Sequence, residues 1–403
     1  MKMLNLPKKL KSLHTEYLIA SKILGTVLAL IQIPTILRIC GVEIWLQIAT
    51  IQSIAVILSP IIQMHWAKFG GVTLLQNTEN NQNRIVLQSI SSRLISLALM
   101  NFMALSLVLS IFKNEDVFLL LAVFFYASSL SLTNEWFYLA KSNFRSFFAR
   151  ETLPRFLFTS FPLIFIETKT QLVYFFLVLA LVNLITCTVI IGKIQSDDAT
   201  PLVDHYTVME KVKFTILQFL LFLVLFSPVP LVNFAGFDQK FQFTILERFF
   251  RLFMTAVTPI TQIAHSQILS SRNLLGISRY WYRKNKLLCI GICGLYLPSL
   301  IFYLTFTETT SFLWFNKMLI LLFGLLVVVT FAERIIEEIF VLNSLDIRLI
   351  NKIQIFNLFY LSFSFTISAY NRNSMLLVVA LILSELCRFF YMRHRLIRLG
   401  IIA

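Results

Sequence analysis

Thr244, Arg248, Arg251, Thr255, Thr258, Gln262 and His265 follow one another at spacings of four, three, four, three, four and three residues. That rhythm puts all seven on one face of a helix. Phe249, Phe250, Phe253, Met254, Val257 and Ile260 fill the rest of its circumference. A guanidinium fork matches the oxygens of a phosphate two at a time, so two arginines one turn apart suit an anion, above all a phosphorylated one. The same stretch is long and apolar enough to cross a bilayer, and a polar stripe along a spanning helix cannot face lipid. It either lines a water-filled cavity or lies at a helix interface where Glu247 or a neighbouring helix satisfies the arginines.

Weaker stripes occur elsewhere. Lys22, Gly25, Ala29 and Gln32 share a face of an apolar segment. Small residues there suit close helix packing, but a lysine on the same stripe does not need it. Gln52, Ser59 and Gln63 share a face of the next segment, as do Ser128, Ser131 and Glu135 further on. Together they describe a polar, net-cationic cavity with Lys22, Gln32, Gln63, Arg248, Arg251 and Gln262 as candidate substrate-binding residues. No catalytic or metal-binding group is expected. The five cysteines are odd in number and lie in or beside apolar stretches, and Cys289 and Cys293 have no further ligands nearby.

The elements that must position these residues follow from composition. Of 403 residues, 58% are apolar and 14% charged, with a mean hydropathy of +0.79. Soluble chains carry about 45–50% apolar and about 25% charged residues. Soluble enzymes, nucleic-acid binders and disulfide-stapled secreted modules are excluded, and a polytopic membrane protein is expected. Apolar stretches fall at about 17–37, 44–66, 89–112, 117–140, 152–168 and 172–192. A second set falls at about 214–232, 241–265, 287–306, 312–336, 353–370 and 374–391. The fold class is therefore an all-α integral membrane protein of about twelve transmembrane helices, in two six-helix bundles around a central cavity. The polar gap QSDDATPLVDHYTVMEKVK divides the chain into an N-terminal bundle over 1–195, a cytoplasmic linker over 196–213 and a C-terminal bundle over 214–403. The basic start precedes an apolar run too long for a signal peptide, which reads as a first span.

The net charge of +15 is unevenly spread. Lys2, Lys8, Lys9, Lys11, Lys141, Arg145, Arg150, Arg279, Arg283, Lys284, Lys286, Arg393, Arg395 and Arg398 are among the many cations on one set of alternate segments. The opposite set holds Arg38, Lys113, Lys169, Lys240 and Arg372. The positive-inside rule then puts both termini in the cytoplasm and the cations beside anionic lipid rather than nucleic acid. Arg93, Arg155, Arg334 and Arg388 lie near cytoplasmic span ends, where snorkelling accounts for them. Glu333, Glu337 and Glu338 beside Arg334 read as local pairs on a helix that continues into the cytosol.

Several segments resemble a known family. Ile33–Gly70 (IPTILRICGVEIWLQIATIQSIAVILSPIIQMHWAKFG) resembles the first helical pair of Wzx-type polysaccharide repeat-unit flippases, although Glu43-Ile44-Trp45 stands where a Gly/Tyr-rich turn is usual. GVTLLQNTENNQNRIVLQSISSRLISLAL and NEWFYLAKSNFRSF (Asn134–Phe147) are similar to the segments that follow it in that family. Phe234–Ile268 is similar to its eighth helix. The resemblance implies the multidrug/oligosaccharidyl-lipid/polysaccharide exporter superfamily and a bacterial inner-membrane location. Its implied substrate is an undecaprenyl-diphosphate-linked oligosaccharide of O-antigen or capsule type, flipped by alternating access with its pyrophosphate on Lys22, Arg248 and Arg251. A coupling proton or sodium ion, and the polymerase and chain-length regulator of the same pathway, would be partners of such a protein. No cofactor and no covalent chemistry are implied. Two other readings stand beside it: an integral-membrane O-antigen polymerase or glycosyltransferase, and another exporter of the superfamily. Short outer loops leave an enzyme little room for a catalytic centre.

Overall fold

The computed structural model describes residues 8–401, apart from 67–69, 72, 75–76, 78, 112–115, 142, 189–207, 227, 238, 270–273, 307–315 and 345–346. The polar gap and the acidic pair within it lie mostly outside the described residues. Those described are helical almost throughout, as a bilayer demands of chain that cannot hydrogen-bond to lipid. They cluster into two compact units, Met1–Pro230 and Leu231–Ala403.

The first unit begins with α1, Lys8–Gln63. This one long element holds the first two predicted spans, and Gly41 turns the chain between them at φ 78° and ψ 175°. Only glycine adopts that conformation without strain, so one residue replaces a loop. The unit continues through α2 (Glu79–Ile111), α3 (Val117–Ser129), α4 (Glu135–Ala140), α5 (Phe144–Phe147), a π turn over Phe148–Thr152, α6 (Leu153–Leu163), α7 (Lys169–Thr188) and α8 (Val208–Phe226). Buried α3 packs against α1, α2 and α7. Arg38 donates to the Ile166 carbonyl (3.5 Å) and Lys169 pairs with Asp116 (3.0 Å), which joins the loops at one end of the unit. Large apolar side chains such as Phe102, Phe118 and Phe161 point outward, as lipid-facing groups do.

α8 lies beyond the polar gap, yet it packs on α1 and belongs to the first compact unit. A break in composition marks where the chain leaves the bilayer; it does not decide which helix the next span packs against.

The second unit follows α9 (Pro228–Phe234), which straddles the boundary. It comprises α10 (Lys240–Leu269), α11 (Leu274–Phe306), α12 (Lys317–Ser344), α13 (Ile347–Tyr370) and α14 (Ser374–Arg398). α12 is central and touches α10, α11 and α14. Asn316 and Asn373 start α12 and α14 by accepting from the free backbone N–H groups of the first turn, at 2.9–3.4 Å. α11 and α14 run well past their apolar stretches into basic sequence, over 274–286 and 392–398.

Candidate functional site: charged groups within the bundle

Candidate residues fall into two separate sets, one in each unit. In the first, Lys22 of α1 meets Glu135 at the start of α4, with Nζ 2.7 Å from Oε1 and 2.8 Å from Oε2. Both side chains are about one-fifth exposed, at 18% and 21%. The pair joins two residues that sequence periodicity assigns to a polar lining, and Glu135 offsets the lysine's charge. Gln32, three turns along α1, is buried and bonded to the Tyr126 hydroxyl of α3. Gln63 is half-buried at the last turn of α1.

Beside the Lys22 pair lies a network that periodicity misses. Arg93 of α2 is 1% exposed. Its guanidinium donates to the carbonyls of Ser89 (3.1 Å), Leu132 (3.3 Å) and Thr133 (3.0 Å) and to the Asn134 side-chain oxygen. Asn134 in turn donates through its side chain to the Cys187 carbonyl of α7 (3.2 Å) and through its backbone to buried Glu151 (3.2 Å). Glu151 also accepts from the Thr133 hydroxyl (3.1 Å) and pairs with Arg155 at 3.5 Å. Thr152 reaches Ser21 of α1 (3.2 Å), which ties this network to the turn carrying Lys22. Arg93 and Arg155 are therefore held inside the unit rather than snorkelling.

Each residue of the Asn134-Glu135-Trp136 run has a separate task. Asn134 receives Arg93, and Glu135 receives Lys22. Trp136 packs on Trp66 (6.0 Å between ring centroids) and lies so close to Gly70 that a Cβ there would come within 2.8 Å of the ring.

In the second unit, the aromatic face of α10 packs inward. Phe249 and Phe253 meet Tyr296 of α11 at 5.4 Å, and Phe243 meets Phe323 of α12 at 5.6 Å. That packing orients the polar stripe. Arg248 and Arg251 are half-buried and Thr255 is exposed. Arg251 pairs with buried Glu247 one turn earlier, an arrangement the sequence left open. Thr258, further along, accepts from Arg334 of α12 (3.5 Å). The Gln262 and His265 side chains lie outside the described residues. This turn of α10 thus carries two guanidiniums and one carboxylate, and Arg251 is the one paired with Glu247.

α12 and α14 gather carboxylates around one buried guanidinium. Arg388 of α14 is 8% exposed and reaches Glu333 (2.8 Å), Glu337 (3.3 Å) and Glu385 (3.6 Å). Two of its partners lie about fifty residues away on α12, so the expectation that Arg388 snorkels is corrected. Among the described residues, no group of three or more His, Cys, Asp or Glu is arranged to hold a metal ion.

These helices share the fold of solved transporters that are described as members of the MOP superfamily. The chain matches an outward-facing multidrug-resistance MATE family transporter of that superfamily over 96% of each chain, with a TM-score of 0.59 and 12% identity. It matches a MOP superfamily transporter from Pyrococcus furiosus, described as having a binding pocket of reverse polarity, with a TM-score of 0.60, 12% identity and 96% of each chain covered. A MATE in complex with MaD3S gives a TM-score of 0.58 at 13% identity, again over 96% of each chain. No protein-family model matches the chain, and no curated protein sequence does. At such identities the likeness is one of fold.

Proposed function

We propose that the chain is a flippase for an undecaprenyl-diphosphate-linked oligosaccharide repeat unit, working by alternating access between two six-helix halves in the bacterial inner membrane. One observation carries the reading: Arg248 and Arg251 stand half-buried one turn apart on α10, with Glu247 paired to Arg251. A diphosphate brings enough negative charge to compete for both guanidiniums. Lys22 is a weaker anchor than its position suggests, because Glu135 already offsets its charge and an arriving anion would be repelled by that carboxylate. Gln32, Gln63 and Gln262 would serve the sugars as neutral hydrogen-bonding groups. The lipid tail would stay in the bilayer, and both termini would be cytoplasmic. A coupling proton or sodium ion would supply the direction of transport.

The test is Arg251→Ala in cells that depend on the chain for surface glycan. A charge-assisted contact is worth roughly 1.5–3 kcal/mol, so substrate affinity should fall about ten- to a hundredfold. Glycan export should drop while the protein's level in the membrane stays unchanged, and Arg251→Lys should rescue it in part. Normal export by a stable alanine variant would end this reading.

A further inference from the structure

The basic ends of α11 and α14 belong to one surface that neither the stripe on α10 nor the buried networks use. Arg279 of α11 donates to the carbonyls of Gly400 and Ile401, both at 3.0 Å, just beyond the end of α14. Arg393 of α14 donates to the Tyr282 hydroxyl of α11 at 2.8 Å. These bonds clamp together two segments, 272–290 and 386–403, that contain no Asp or Glu. Arg279, Arg283 and Arg398 remain exposed, with Lys284 and Arg395 half-buried beside them. The carboxylates of Glu333, Glu337 and Glu385 are committed to Arg388, about 10 Å deeper along α14 than Arg395 at 1.5 Å per residue. Among the described residues none of Arg279, Arg283, Arg395 and Arg398 pairs with a carboxylate, and cations held this close together favour an anion from outside the protein.

The surroundings say what carries that anion. On α11 the positions Arg279, Arg283, Leu287 and Ile290 share one face. The first two are exposed cations, and the last two are exposed hydrocarbon at 72% and 70%. On α14 the exposed residues Cys387, Tyr391, His394 and Arg398 repeat the order, apolar below and basic above. Aromatic rings lie at the changeover: Lys284 sits over Tyr280 and Trp281, each at 5.3 Å, and Arg395 over Tyr391 at 5.7 Å. Such rings favour the level of lipid headgroups. A free phosphate would use only the upper half of this surface.

We propose that the clamped ends of α11 and α14 form a docking site for anionic phospholipid, whose phosphate lies against Arg279, Arg283 and Arg398 and whose acyl chains lie along Leu287 and Ile290. The site is independent of the transported substrate. Its test uses the purified full chain in neutral detergent, titrated with short-chain phosphatidylglycerol, short-chain phosphatidylcholine or inorganic phosphate. The thermal unfolding midpoint is followed in each case. Phosphatidylglycerol should raise the midpoint saturably, and the other two should not at equal concentration. The double variant Arg283→Gln/Arg398→Gln should bind phosphatidylglycerol about thirtyfold more weakly, the factor for two cations at about 1 kcal/mol each. The wild-type headgroup comparison decides the matter even if the variant folds poorly. Equal responses to the two lipids would overturn the proposal, as would an equal response to inorganic phosphate. A folded double variant with unchanged affinity for phosphatidylglycerol would overturn it too.

Discussion

The first unit buries Arg93 among backbone carbonyls and an asparagine, sets Arg155 against Glu151, and matches Lys22 with Glu135. The second unit separates its charges. On α10 Arg251 pairs with Glu247, while α12 and α14 gather three glutamates around Arg388. Both arrangements lie within or at the edges of membrane-spanning helices, where an unmatched charge is expensive. The first solution holds helix ends in place: Arg93 links α2 to the α3–α4 turn, and Asn134 links that turn to α7. The second gathers more carboxylates than guanidiniums around one buried arginine, Arg388. The first network is thus matched group by group, whereas the cluster around Arg388 is not.

The sharpest way to break the contrast is to weaken the scaffold. Arg93→Lys keeps the charge but removes the planar fork that reaches three carbonyls and Asn134 together. The carbonyls then lose partners and the ammonium is left desolvated, at a cost of about 3–5 kcal/mol. The variant should be depleted from the membrane and should aggregate on extraction, as gel filtration of the solubilised protein would reveal. A monodisperse variant with an unchanged melting temperature would show that the network holds nothing together.

A smaller effect is expected at Gly70, where packing rather than charge is at stake. A Cβ there would meet the Trp136 ring at 2.8–3.0 Å, and that ring is hemmed in by Trp66 and Phe137. Gly70→Ala should cost about 1–3 kcal/mol, the usual range for overpacking. Thermal unfolding in detergent should register this as a lower midpoint in a protein that still reaches the membrane. An unchanged midpoint would mean that the Trp66–Trp136 stack yields freely.

What the sequence disclosed, and what it hid, follows from the range of each interaction. Hydropathy is local, so the spans could be read directly, and the stripe on α10 was visible because its members lie within a few turns of one another. The turn at Gly41 falls in the break between the first two apolar stretches, where Arg38 and Glu43 interrupt the hydropathy, but nothing there showed that a single glycine would replace a loop. Arg93 and Arg388 looked like snorkelling residues because their partners lie about forty to fifty-five residues away, beyond any periodic pattern. The Glu247–Arg251 pair could be read as one alternative because it is an i,i+4 contact. The extension of α11 and α14 through basic sequence was hidden for the opposite reason: apolar content ends where the bilayer does, whereas helical hydrogen bonding continues.

The smallest expected effect sharpens the comparison most, because it asks whether the carboxylates around Arg388 are truly in excess. Glu333 is the nearest of them at 2.8 Å, and Glu385 the most distant at 3.6 Å on Arg388's own helix. Glu385→Gln leaves the guanidinium with both α12 partners and removes a negative charge that repels them. Its stability should therefore stay within about 1 kcal/mol of the parent, since the lost attraction and the relieved repulsion largely cancel. Glu333→Gln removes the closest link between α12 and α14 and should cost several times more. Melting temperatures of the two variants, measured side by side, give the ratio. If the two changes cost the same, Glu385 is as necessary to Arg388 as Glu333 is, and the cluster is a matched set like that around Glu151.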